Sequence, residues 1–247
     1  MCIRHEINYN CHLVLCIYKL LNHHIMKKFI LLFILTTSPL FAQTVTKSPG
    51  DFTTVKIFDR ISAQLIPSNE NKVEIKGSRA AEVEVVNNNG DLKIRMPLTK
   101  LLKGETIEAT VYYKKLEGVE ASEGSYVNAE KTIKAVNFEL NVKEGAEIKI
   151  ALNVQKCNSK ASTGGKINIT GTTQNQEVIV TSGGEVNANK FNSNQTTVSI
   201  NAGGNASIHA TDYVDAKVRA GGYIYIYGKP KQIDQKTVLG GSIKEMN

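Results

Sequence analysis

Residues 161–188 read ASTGGKINITGTTQNQEVIVTSGGEVNA, and the same short phrase stands near both ends of this stretch. The phrase is a glycine followed by a second small residue, with alternating apolar residues on either side. It occurs seven times between residues 119 and 247, at intervals of 18 to 21 residues. The first glycines of the copies are Gly124, Gly145, Gly164, Gly183, Gly203, Gly221 and Gly240. A period of about twenty residues around a fixed glycine is typical of a β-solenoid.

Apolar residues recur at three fixed distances from each glycine. They stand three residues before it, three after it and five after it, which is the alternation of a strand with one buried face. The last copy departs from the pattern, with Thr237 before its glycine and Glu245 after it. We therefore predict an all-β fold with about seven regular coils of 18–21 residues, each covered by its neighbours. The polar last copy is predicted to cap the final sheet edge.

Glycine suits the corner between two strands for either of two reasons. It takes a positive φ without a Cβ penalty, and its missing side chain lets neighbouring coils approach closely. On the outward face, the position two residues after the glycine holds Glu147, Lys166 and Glu185 in successive copies. These three side chains are predicted to form an alternating charge ladder on adjacent strands.

The first 42 residues are interpreted as segments outside the folded protein. A secretory signal pattern begins at Met26, with two lysines, an apolar run and a cleavage site after Ala42. Residues 26–42 are therefore predicted to be a signal peptide, and residues 1–25 an over-called extension. That extension holds three of the four cysteines and four of the five histidines, so a metal cluster is the alternative interpretation there.

The composition of residues 43–247 argues against a nucleic-acid-binding protein and against a disulfide-stabilised one. The net charge is +7 for the whole sequence and +4 for this range, because four basic residues and one acidic residue lie before position 43. This mild, dispersed excess does not indicate a nucleic-acid partner. Cys157 is the one cysteine in this range, so an intrachain disulfide is not possible and the domain must be held by its core. We expect no metal site, no cofactor and no transmembrane segment in this range.

The range 51–118 is rich in strand patterns but lacks the regular repeat. Short β-branched or alternating runs are separated by turn sequences such as Asn87-Asn88-Asn89-Gly90. We interpret this part as irregular starting coils, and 43–247 as one β-helix domain with regular coils over 119–247. A separate small β-sandwich is the alternative for 51–118.

These features together resemble the putative auto-transporter adhesin, head GIN domain family of exported Bacteroidetes-type proteins. The likeness runs from Phe52 through Asp91-Leu92-Lys93-Ile94 and the glycine corners. It is most specific at residues 221–230, GGYIYIYGKP, and at the GGSI of 240–243. The resemblance implies a right-handed single-stranded β-helix, an adhesin role and no established catalytic residues. Many members carry Ser-Gly at corners where this chain has Gly-Gly.

An enzymatic interpretation rests on one coil. Right-handed β-helices include polysaccharide lyases, whose sites need clustered acidic ligands and a strong base. Asp212, Asp215 and Arg219 fall in one coil, just after His209, the one histidine of the predicted mature chain. We interpret these residues as turn acids and surface charges instead, because a fold does not by itself imply a function. Cys157 is interpreted as an inert core residue, since no histidine partner is evident.

The most distinctive outward feature is a set of tyrosines. Tyr223, Tyr225 and Tyr227 alternate with apolar residues, so their three rings are predicted to point outward together. Such a stripe can bind a glycan or a surface protein, or it can simply cover the end of the solenoid. We thus predict an exported, non-enzymatic adhesin or surface-interaction module of the periplasm, outer-membrane surface or extracellular space. The alternatives are a polysaccharide-active, lyase-like enzyme and a self-associating structural envelope protein.

Overall fold

The computed structural model describes residues 44–246, so the predicted extension 1–25 and signal peptide 26–42 lie outside the described residues. Seventeen strands form one hydrogen-bonded sheet, joined by turns and by two 3₁₀ turns at Ala80–Glu82 and Leu98–Lys100. The strands are β1 Thr44–Lys47, β2 Thr54–Ile57, β3 Ser62–Pro67, β4 Lys72–Lys76, β5 Glu84–Asn88, β6 Asp91–Arg95, β7 Glu108–Tyr113, β8 Gly118–Ala121, β9 Tyr126–Ala129, β10 Ile133–Val142, β11 Glu147–Ala161, β12 Lys166–Thr181, β13 Glu185–Asn201, β14 Asn205–Arg219, β15 Tyr223–Tyr227, β16 Gln232–Val238 and β17 Ser242–Glu245.

The strands from β8 onward stack in parallel, coil upon coil, which confirms the predicted β-solenoid of about seven turns. Equivalent positions of successive copies are direct partners, so that side chains of like type lie above one another. The inward column three residues after the glycine runs through Val127, Ile148, Ile167, Val186, Ala206, Ile224 and Ile243. All but Ile243 are fully buried, as the alternation predicted. This continuous apolar column is what holds the coils together.

The outward columns also follow the predicted register. Lys166 lies between Glu147 and Glu185 on adjacent strands, as expected for the charge ladder. The ion pair between Lys166 Nζ and Glu185 Oε2 measures 3.9 Å, whereas Glu147 accepts a hydrogen bond from Asn168 at 2.9 Å. The predicted order of charges is therefore present, but of its two steps only Lys166–Glu185 is an ion pair. An exposed pair of this kind contributes about 0.2–1 kcal/mol, so it helps set the register more than the stability.

Each regular corner is a tight turn that contains two residues at positive φ, and in the last three copies the second glycine is a third. In the third copy Thr163 has φ +49° and Gly164 has φ +72°, and the N–H of Gly165 donates to the carbonyl of Ser162 at 2.9 Å. Two consecutive left-handed residues closed by this hydrogen bond make a type I′ turn. The residue before the glycine is at positive φ in all seven copies, at Glu123, Glu144, Thr163, Ser182, Ala202, Ala220 and Leu239. The sequence pattern points only to the glycine as a residue at positive φ.

The two small corner residues serve different purposes. A Cβ added to Gly164 would meet nothing within 4 Å, so the first glycine is required by its backbone conformation alone. A Cβ added to Gly165 would lie 2.7 Å from the carbonyl oxygen of Val142 in the preceding coil. The second glycine is therefore required by the close approach of backbone to backbone.

Two alanine substitutions at one corner separate these effects. Gly164→Ala should lower the free energy of unfolding by about 1–2 kcal/mol, because alanine must adopt the left-handed conformation. Gly165→Ala should cost more, because backbone of the preceding coil must move. Gly164→Asn is the matched control and should cost less than alanine, since asparagine tolerates this conformation. Urea unfolding of the three variants measures the order, and an alanine at 164 costing more than one at 165 would contradict the assignment.

The starting coils are stacked out of chain order. The coil formed by β2 and β3 lies between two later coils, with β6 and β7 on one side and β8 and β9 on the other. Three further strands run antiparallel: β5 pairs with β6, while β4 pairs with both β7 and β1. Among residues 44–246, β1 and β5 thus form the outer edges at this end. The strand-rich character of 51–118 was predicted, but this order and the antiparallel strands were not.

The first corner of the chain contains no glycine. Asp59 and Arg60 take φ +59° and +63°, and the N–H of Ile61 donates to the carbonyl of Phe58 at 3.2 Å. The Asp59 carboxylate is 1% exposed and accepts hydrogen bonds from the backbone N–H groups of Met96 at 2.9 Å and Leu102 at 2.8 Å. Through these two hydrogen bonds, the Asp59 side chain holds the connection between β6 and β7 against the first corner.

Removal of that carboxylate should loosen this end of the solenoid. Asp59→Ala leaves two backbone donors without their acceptor and places alanine at positive φ, so we expect a loss of about 3 kcal/mol or more. Asp59→Asn retains an acceptor oxygen and a residue type that tolerates positive φ, and should lose less. Hydrogen exchange at the amides of Met96 and Leu102, measured beside thermal unfolding, locates the effect. Unchanged protection of both amides in Asp59→Ala would contradict this role.

The last coil is the most exposed part of the solenoid. Thr237 and Glu245 are exposed, in keeping with a polar final copy. Its corner is nevertheless apolar, because Val238 is 41% and Leu239 is 84% exposed. The predicted polar cap therefore describes the strand positions of this coil but not its corner.

Candidate functional site

The tyrosine stripe, defined here as Tyr223, Tyr225 and Tyr227, lies on the outer face of β15. The intervening Ile224 and Ile226 are fully buried, whereas Tyr223 is 49% exposed and the other two rings are half-buried. The rings of Tyr223 and Tyr225 are nearly parallel, at 12°, with centroids 6.5 Å apart. The alternation of the sequence therefore places the rings on one side, and β15 holds the first two in a parallel pair.

Polar residues flank the stripe on both neighbouring strands. Tyr223 lies between Asn205 of β14 and Ser242 of β17. Tyr225 lies between Ser207 and Lys244 in the same way. Since neighbouring strands are about 4.8 Å apart, the rings of Tyr223 and Tyr225 each have a hydrogen-bonding group one strand away on either side. The stripe is thus an aromatic row with a polar border.

His209 belongs to this surface, although its place was not apparent from the sequence. It lies beside Tyr227 in the register of β14 with β15. A Cβ added to Gly228 would lie 2.6 Å from the His209 ring, so the absence of a side chain at 228 makes room for the imidazole. His209 Nδ1 is 3.3 Å from the carbonyl oxygen of Asn189 on the preceding coil. The signal that could have revealed this arrangement is the register between copies, not the local sequence.

The acidic residues considered for catalysis are engaged in separate pairs. Asp212 forms an ion pair with Lys231 at 2.7 Å, and Asp215 forms one with Lys217 at 2.7 Å. The hydrogen bond from Lys231 to Asp212 raises the pKa of this exposed lysine above its ordinary value. Arg219 is exposed at the end of β14. Within 44–246, no group of three or more His, Cys, Asp or Glu side chains is arranged to hold a metal ion.

Part of the solenoid interior is polar, which the apolar pattern did not predict. The buried hydroxyl of Thr196 lies 2.6 Å from Ser193 Oγ and 3.4 Å from Gln176 Oε1. Ser193 Oγ also donates to the carbonyl of His209 at 2.8 Å. These side chains are buried, so we interpret the cluster as internal hydrogen bonding rather than as a binding site.

Cys157 is sealed inside the coil stack. Its side chain is fully buried, and the Sγ atom lies 3.5 Å from Ser159 Oγ. Burial raises the pKa of the thiol to about 11, so the nucleophilic thiolate is scarce at neutral pH. This environment fits the inert core role that was predicted.

Thiol labelling provides a direct check. The native protein should react with a thiol-specific disulfide reagent at pH 8 far more slowly than the urea-unfolded protein does. The rate should rise only as the pH approaches about 11. Because residues 1–42 contain the other three cysteines, labelling is read by peptide mass at Cys157. Equal labelling of Cys157 in folded and unfolded protein would contradict its burial.

Comparisons with known proteins agree with this fold. A family model described as "Putative auto-transporter adhesin, head GIN domain" matches residues 51–230. Among solved structures, a putative adhesin from Bacteroides fragilis NCTC 9343 is similar, with 21% identity and a TM-score of 0.76 over 84% of this chain and 98% of that one. A putative adhesin from Parabacteroides merdae ATCC 43184 has 18% identity and a TM-score of 0.65, covering 85% and 98%.

A third structure carries a different description. A putative lipid binding protein from Parabacteroides distasonis ATCC 8503 has 17% identity and a TM-score of 0.62, covering 85% of this chain and 98% of its own. At such identities these likenesses concern the fold alone. No curated protein matches the chain.

Proposed function

Since the chain belongs to the family described as putative auto-transporter adhesin, head GIN domain, we propose that it is an exported, non-enzymatic protein of the cell envelope that attaches to a surface partner through the tyrosine stripe. The family description supports the adhesin role. The signal pattern of residues 26–42 supports export, to the periplasm, the outer-membrane surface or beyond. No helix among residues 44–246 is long and apolar enough to cross a membrane.

The observation that carries this proposal is the exposure of aromatic rings on a strand whose other face is fully buried. Ile224 and Ile226 anchor β15 in the core, and its backbone is hydrogen-bonded to strands on both sides. The stripe is therefore a rigid platform, so little conformational entropy is lost when a partner binds. Tyrosine combines a large apolar ring with a polar tip, and it is enriched among residues that dominate binding energy.

The arrangement of charges favours binding over catalysis. Asp212 and Asp215, the acids of the lyase-like alternative, are each paired with a different lysine. A general base needs to reach its substrate, and these carboxylates instead lie in surface ion pairs of an ordinary kind. We therefore assign them to the solvated face of the solenoid.

Replacement of the stripe tests the proposal. The triple variant Tyr223→Ser, Tyr225→Ser, Tyr227→Ser should lose attachment to bacterial envelopes and to mucin-coated surfaces by about thirtyfold or more, since a dominant aromatic contact is worth about 2 kcal/mol or more. Its circular dichroism should stay native, because Ile224 and Ile226 still occupy the core. Binding of the purified protein to each surface is measured by interferometry.

Two control substitutions lie in the coil that precedes the stripe. Asp212→Ala and Arg219→Ala should leave attachment unchanged. A folded triple variant that still attaches would remove the stripe from the site. Polysaccharide cleavage by the wild-type protein that is lost on Asp212→Ala would instead establish the enzymatic alternative.

A further inference from the structure

We infer that the partner of the tyrosine stripe is a glycan chain, which lies along β15 with its sugar rings against the tyrosine rings. This inference rests on the proposed function, and it names the ligand class of the same surface. Three features of the stripe carry it: the arrangement of the rings, the polar border and the hydrogen-bonded state of the strand beneath.

The arrangement of the rings suits a row of sugars. Tyr223 and Tyr225 are within 12° of parallel with centroids 6.5 Å apart, and Tyr227 continues the same side of the strand. From Tyr223 to Tyr227 the row extends roughly 13 Å, at about 3.3 Å per residue. A pyranose ring has apolar C–H faces and a rim of hydroxyl groups. Consecutive rings of one chain can therefore contact consecutive tyrosines while their hydroxyls point sideways.

The border of the stripe matches that rim of hydroxyls. Asn205 and Ser207 lie on one side and Ser242 and Lys244 on the other, so donors and acceptors line both flanks. A protein partner is typically held by aromatic anchors set in an apolar centre from which water is excluded. Here the large apolar residues next to the tyrosines in sequence, Ile224 and Ile226, are buried beneath the sheet. The side chains paired with Tyr223 and Tyr225 on the neighbouring strands are polar, and the exposed apolar Val238 and Leu239 lie at the corner before β17 rather than on these strands.

The strand beneath the stripe excludes one common mode of peptide binding. Extended peptides often add a strand to a free sheet edge. The backbone of β15 is already paired with β14 on one side and with β17 on the other, so no edge is free at the stripe. Recognition at β15 itself must then use side chains; among residues 44–246 the open edge at this end of the sheet lies one strand away, at β17. An open row of this kind suits a polymer that lies across the surface better than a small molecule that needs enclosure.

A competition experiment on the full chain tests the ligand class. Oligosaccharides released from mucin by alkaline treatment should displace the protein from mucin-coated surfaces, and free monosaccharides should do so much more weakly. The triple serine variant should bind the oligosaccharides about thirtyfold more weakly, or worse. The triple phenylalanine variant keeps the rings and should retain most of the affinity. Should the triple serine variant unfold, Tyr223→Ser alone changes the most exposed ring and should still weaken binding severalfold.

The matched control is Tyr126, which occupies the same outward position, two residues after the glycine, in the first copy. It lies between Ser62 and Glu147 and has no second tyrosine on its short strand. Tyr126→Ser should therefore leave oligosaccharide binding unchanged. An equal loss of binding from Tyr126→Ser and from the stripe variants would contradict the assignment to β15.

Chemical treatment of the surface separates this inference from the proposed function. Periodate oxidation, which destroys vicinal diols of sugars, should abolish attachment to bacterial envelopes, whereas trypsin digestion of the envelopes should not. Attachment that depends on the tyrosines, survives periodate and is lost on trypsin digestion would identify a protein partner; the glycan inference would then fall and the proposed function would stand. Attachment that does not depend on the tyrosines would contradict both the glycan inference and the proposed function.

Discussion

The close contact of backbone with backbone at the glycine corners is the constraint on which this structure depends. At each regular corner the chain reverses through at least two residues at positive φ, and from the third copy onward the second glycine lies directly against the preceding coil. Because the corners share one geometry, the strands that follow them begin at equivalent positions. Like residues of successive coils therefore stay in register. The buried apolar column and the outward polar columns both follow from that register. The corner also explains why coil length can vary, because β13 carries register shifts away from the corner while Ile200 and Val186 remain aligned with their partners.

The parts of the fold that repeat could be predicted from the sequence, because in each copy the buried residues stand at fixed distances from the glycine. The positions of Ile148 and Ile167, for example, follow from counting three residues past a glycine. What could not be predicted depends on contacts between distant segments. The glycine-free corner at Asp59 and Arg60 looks like ordinary polar sequence until Met96 and Leu102 are brought to the Asp59 carboxylate. The positive φ of Thr163 was likewise hidden, since a threonine gives no local sign of a left-handed conformation.

In the candidate site, too, local spacing predicted some features, whereas others depend on contacts between distant segments. Alternation was enough to place the three tyrosines outside and their isoleucine neighbours inside. The border of the stripe was not accessible in this way, because Asn205 and Lys244 become its neighbours only through pairing with strands on either side. The pairing of Asp212 with Lys231 and of Asp215 with Lys217 was equally invisible, and it changes the interpretation of both acids. Spacing within a strand is local information, whereas the composition of a surface depends on how strands are stacked.

The position of the β2–β3 coil between two later coils has a consequence for the order in which the protein can assemble. Neither edge of this coil can be filled until residues 91–129 are available, because its partners are β6 and β7 on one side and β8 and β9 on the other. A chain that emerges amino end first therefore cannot lay down its coils one after another from the start. Residues 54–129 must instead come together as a unit through contacts distant in sequence, which is the slow kind of folding step. Once that nucleus exists, each later coil needs only its predecessor as a template, so the remainder of the solenoid can grow in one direction.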